Sequence, residues 1–91
     1  MPITDDWRSF RELDEAAQQP KGTSFRAFRR LAPAWAEGCD YRVLDARRDC
    51  DAIRALREAG RIYPSTVNLV MLSPALAQAV LQALRQAGGD Q

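Results

Sequence analysis

A chain of 91 residues has room for one domain with a modest core, so marginal stability is expected. Its 46% hydrophobic and 27% charged content excludes a disordered chain, and no run approaches the roughly 18 apolar residues of a membrane span. A net charge of +1 without a single histidine argues against a generic polyanion binder and removes the commonest general base.

The charge is unevenly spread. Residues 8–36 carry Arg8, Arg11, Lys21, Arg26, Arg29 and Arg30 against Glu12, Asp14 and Glu15, whereas residues 37–60 are about neutral. Cys39 and Cys50 are too few for a four-ligand zinc site and are not spaced as a redox CxxC, so they read as buried or idle thiols. The opening MPITDDW lacks the basic start and apolar core of a secretion signal, which makes a reducing cytoplasm the default setting. No nucleophile–base arrangement or phosphate loop is visible, so neither enzyme chemistry nor a cofactor is expected.

Residues 1–6 are expected as an extended lead-in. Trp7, Phe10, Leu13 and Ala16/Ala17 then recur at helical spacing, with Ser9 and Glu12 able to form a capping box and Asp6 a rival cap. Gln18-Gln19-Pro20-Lys21-Gly22 breaks that pattern, since proline stops the preceding helix. A second helix is predicted over 23–32. Phe25, Phe28, Leu31 and Trp35 fall on its inner face, and Phe28 is expected in the core; Arg26, Arg29 and Arg30 fall outside. Thr23 or Ser24 can cap it, with Gly22 turning the chain just before. From Lys21 to Ala36 there are four basic residues and no acidic one. Such a face suits a helix that reads DNA, although an ordinary amphipathic helix has a charged outer side too.

Pro33 either kinks this helix or opens a separate turn ending at Gly38. Residues 40–45 alternate as a strand, with Tyr41 and Val43 on one face, and 48–59 return to helical spacing through Ile53, Leu56 and Ala59. Gly60 is placed to close that helix. Residues 61–63 read as a strand, 64–66 as a turn, and 67–72 as a strand apolar on both faces and therefore covered. Ser73-Pro74 caps and opens a last helix carrying Leu76, Val80, Ala83, Leu84 and Ala87. Residues 88–91 are expected to fray.

The segment Phe28–Ala46, FRRLAPAWAEGCDYRVLDA, resembles a pattern of phage-type antirepressor N-terminal domains, the KilA-N group and its relatives. In these a helix with a central aromatic leads into a large apolar residue, Glu-Gly and Asp/His-aromatic turn, and then a short strand. Trp35, Glu37-Gly38, Asp40-Tyr41 and Val43-Leu44 stand at those places. The resemblance implies an α+β, winged helix-turn-helix-like domain of about four helices and a small antiparallel sheet, with the helix before the Glu-Gly turn as reader.

The leading expectation is thus a DNA-binding transcriptional regulator from a phage, plasmid or bacterial genome. Arg26, Arg29 and Arg30, with Ser24 beside them by position, would meet DNA, and Lys21 with the Thr23/Ser24 backbone would hold a phosphate at the helix start. The turn at Ser65-Thr66, flanked by Arg61 and Asn68, would touch the neighbouring backbone, or is simply a polar hairpin tip. The alternative function is a small protein-interaction adaptor or phage-encoded inhibitor that keeps the fold without binding DNA. The wide apolar stripe of the last helix suggests a homodimer through Leu76, Val80 and Leu84. Against this, the helix could pack wholly within its own domain.

Overall fold

The computed structural model describes residues 4–66 and 68–89, with the backbone alone at 87–89. Among the described residues four helices and two strands run α1 (Phe10–Ala16), α2 (Thr23–Leu31), a 3-10 turn (Ala32–Ala34), β1 (Tyr41–Leu44), α3 (Cys50–Glu58), β2 (Leu69–Leu72) and α4 (Pro74–Gly89). The class is α+β, as the sequence leads one to expect, with four helices around a small antiparallel sheet.

The sheet divides the molecule into layers. β1 pairs antiparallel with β2, from Tyr41 opposite Leu72 to Leu44 opposite Leu69. Arg8 bridges the other side of β2 through two backbone hydrogen bonds to Leu72, each 2.8 Å. Side chains alternate across a strand, and β2 is apolar at every position. Leu69 and Met71 join Trp7, Leu44, Ile53 and Ile62 in a core beneath α3. Leu72 joins Leu13, Ala27, Phe28, Leu76, Ala77, Val80 and Leu84 in a second core beneath α1, α2 and α4. A strand buried on both faces must read as a continuous apolar run, which is why Leu69–Leu72 does.

Local chemistry explains most boundaries. Ser9 caps α1 in the expected box: its hydroxyl accepts from the Glu12 N–H at 3.2 Å, and the Glu12 carboxylate accepts from the Ser9 N–H at 3.0 Å. Trp7 therefore precedes the helix and is buried in the α3-side core. Pro33 lies inside the 3-10 turn, which continues directly from α2 and ends at Trp35. The Glu37-Gly38 turn is architectural. Gly38 takes φ of 92° and donates to the Tyr41 carbonyl, a left-handed conformation that favours glycine. Asp40 closes the same turn by accepting from the Ala36 N–H at 2.8 Å, and Tyr41 then sets its ring edge-on to Phe28, centroids 5.0 Å apart.

Four expectations need correction. Residues 61–63 form no strand: the Arg61 and Ile62 carbonyls accept from the Ser9 hydroxyl and the Arg11 guanidinium. Their polar groups are satisfied by α1 side chains instead of a third strand, while Ile62 turns into the core. Phe25 is 42% exposed, and Ala27 takes the inward place beside Phe28. Of the two readings of the cysteines, the buried one is corrected: Cys39 and Cys50 are free and exposed. α4 continues to Gly89, past the expected start of fraying. The expectations for residues 1–3, for Val67, for the Ala87 side chain and for 90–91 lie outside the described residues.

Candidate nucleic-acid interface

The start of α2 is built on a buried carboxylate. Asp14, 1% exposed near the end of α1, accepts from the Gly22 N–H at 3.1 Å, the Ser24 N–H at 2.8 Å and the Tyr63 hydroxyl at 2.7 Å. An acid at the first turn satisfies free N–H groups and complements the positive end of the helix dipole. Gly22, with φ of 94°, and Gln18, with φ of 55°, bend the connection enough to bring that turn back onto α1. Ser24 is fully buried and its hydroxyl donates to the Phe10 carbonyl at 2.9 Å.

These contacts remove part of the expected DNA surface. Ser24 is structural, because it is sealed between α1 and α2. The helix start cannot cradle a phosphate as expected, because Asp14 occupies its donors and the Thr23 N–H and hydroxyl both turn to the Pro20 carbonyl. Arg61 is likewise structural. Its guanidinium makes two 3.1 Å contacts with the Glu12 carboxylate and a 2.6 Å bond to the Trp7 carbonyl. The side chains of the pair are 23% and 22% exposed, so the pair ties the 61–66 segment to α1 rather than pointing outward.

What remains is an exposed cationic face. Arg26, Arg29 and Arg30 are exposed on α2, and among the described residues none of the three has a carboxylate within 4 Å. The Arg29 guanidinium lies 5.9 Å from the centroid of the exposed Phe25 ring. Phe25 in turn packs edge-on against Phe10 at 5.4 Å, so it is fixed on the helix. Beside it, Lys21, Ser65, Thr66 and Asn68 line a groove of about 290 Å³ together with Phe25 and Tyr63. The Lys21 ammonium donates to the Ser65 hydroxyl at 3.1 Å and sits 5.0 Å from the Tyr63 ring centroid. The structure thus brings Lys21, Ser65, Thr66 and Asn68 to one side of α2.

The groove's far wall is held firmly. Tyr63 is half-buried, and burial together with its bond to the Asp14 carboxylate pushes its phenol up to about 12. Arg57 donates to the Thr66 carbonyl at 2.6 Å, pinning the tip from the α3 side. Asp14 and Phe25 are the residues that sequence reasoning missed. Asp14 occupies an inward helical position where an acid needs a partner, a signal legible in the sequence. Phe25 gave none, since its spacing matched the core.

The expected dimer surface is also corrected. Leu76 and Val80 are fully buried and Leu84 is 6% exposed, all against their own α1, α2 and β2. They are not available to a symmetry mate. No helix among the described residues is long and apolar enough to cross a membrane. No family model matches the chain, and no curated protein or solved structure matches it closely enough to count as a relative.

Proposed function

We propose that this protein is a DNA-binding transcriptional regulator of the antirepressor type that lays the outer face of α2 against duplex DNA. The observation that carries the reading is the set Arg26, Arg29 and Arg30: exposed on one rigid helix, with no carboxylate partner among the described residues. Guanidinium groups on a fixed helix suit both phosphate oxygens and guanine edges. Lys21, Ser65, Thr66 and Asn68 extend the donor surface beside it. The antirepressor-like pattern of Phe28–Ala46 supports the same reading, and the free, exposed cysteines suit a reducing cytoplasm.

Binding to duplex DNA from upstream of the gene, followed by fluorescence anisotropy over a salt series, tests this. Three cations engaging phosphate, Arg26, Arg30 and Lys21, would make log K fall against log salt with a slope of about −3, and Arg26→Ala should flatten that slope by about one. Binding that is absent at low salt, or indifferent to salt and to Arg26→Ala, would overturn the proposal.

A further inference from the structure

Phe25 is an anomaly for a small domain. It is one of two large hydrophobic side chains exposed among the described residues, the other being Val43 at the sheet edge. It stands among cations, with the Arg29 guanidinium against its ring and the Lys21 side chain along the same groove. Its contact with Phe10 leaves part of the ring facing outward while holding the side chain in place. A rigid apolar surface beside an unpaired guanidinium is what recognition of two adjacent base pairs requires. Arginine reads the guanine O6 and N7 acceptors, and an apolar side chain reads the thymine 5-methyl group. Phe25 and Arg29 lie one helical turn apart, about 6 Å along the axis. The guanidinium folds back to 5.9 Å from the ring centroid, near enough for the two groups to reach adjacent base pairs, which stack about 3.4 Å apart.

Resting on the DNA-binding reading above, we infer that Phe25 and Arg29 form a composite specificity element that selects a T·A pair directly beside a G·C pair in the major groove. Phe25 supplies the methyl contact and Arg29 the guanine contact, while Arg26, Arg30 and Lys21 hold phosphates. The aromatic ring also limits the arginine's freedom. Part of the ordering cost is then met before DNA arrives, which favours discrimination over general affinity.

The test begins with selection of bound duplexes from a random-sequence library, using the full chain. In the enriched duplex each thymine is then replaced by deoxyuridine, which deletes only the methyl, and each guanine by 7-deazaguanine, which deletes only the N7 acceptor. One uracil position should weaken wild-type binding about fourfold, the worth of one buried methyl-sized group. The adjacent guanine position should weaken it about tenfold or more. Phe25→Ala should lose the uracil penalty and keep the deazaguanine one, and Arg29→Ala should do the reverse. The uracil comparison on the wild type needs no variant, so it stands even if Phe25→Ala folds poorly. An enriched duplex indifferent to every uracil replacement, or a Phe25→Ala protein that keeps the penalty, overturns this inference alone. A library in which no duplex is enriched overturns the DNA-binding reading and this inference with it.

Discussion

Asp14 holds three donors from two parts of the chain, the start of α2 and Tyr63, and its side chain ties α2 to α1. Asp14→Ala would leave the Gly22 and Ser24 N–H groups and the Tyr63 hydroxyl without their acceptor. Loss of hydrogen bonds to a charged group and of the cap should cost about 3 kcal/mol, a large part of the stability of a domain this size. Asp14→Asn keeps an acceptor oxygen and should cost clearly less; urea denaturation of the two variants measures the difference. Tyr63 provides an independent reading of the same cluster. Its phenol is pushed from 10.0 up to about 12 by burial and by the Asp14 carboxylate. Ionisation is thus disfavoured in the folded state. The stabilisation is complete below pH 10, the unfolded value, and is lost as pH rises towards 12. Tyrosinate absorbance, taken as the difference between wild type and Tyr63→Phe, should show a midpoint well above 10; a midpoint at 10 would mean that Tyr63 is neither buried nor held by Asp14 in solution.

At the scale of elements, two arginines of similar appearance in the sequence have opposite surroundings. Arg29 is exposed on α2 and, among the described residues, rests on the Phe25 ring. Arg61 is fixed by Glu12 and by the Trp7 carbonyl. Arg29→Ala should therefore change stability by no more than about 0.5 kcal/mol while weakening DNA binding by about 1–3 kcal/mol. Arg61→Ala should do the opposite, costing about 1–3 kcal/mol of stability through the unpaired Glu12 and Trp7 groups, with affinity per folded molecule unchanged. Melting curves and anisotropy titrations on both variants separate the roles, and equal effects of the two on affinity would contradict this division.

For the whole molecule, the sheet is the partition between two cores, and α4 closes the larger one. Its Leu76, Val80 and Leu84 stripe packs on α2 and α1, which supply the rest of that core. Val80→Glu would bury an unpaired carboxylate where a side chain is now fully enclosed, at a cost of several kcal/mol. Unfolding is the expected outcome, visible as loss of helical circular dichroism at micromolar concentration. A Val80→Glu protein that stayed folded and merely changed its sedimentation would restore the stripe to the role of a subunit contact.

The periodicities of the chain were enough to place most of the elements. Phe28 and Leu13 at helical spacing, the doubly apolar run Leu69–Leu72, the Ser9/Glu12 box and Ser73-Pro74 each act within a few residues, so sequence alone locates α1, α2, β2 and α4. The cationic outer face of α2 was legible for the same reason, because spacing fixes which side of a helix an arginine occupies. Partners distant in the chain were not legible. Arg61 meets Glu12 across 49 residues, Tyr63 meets Asp14 across the same separation, and Lys21 meets Ser65 across 44. Segment 61–63 has strand-like spacing, yet α1 side chains satisfy its carbonyls, and α4 has a dimer-like stripe, yet α2 covers it. Whether a donor pairs inside the domain or stays free for a ligand depends on which surfaces meet in three dimensions, and only the tertiary structure decided that.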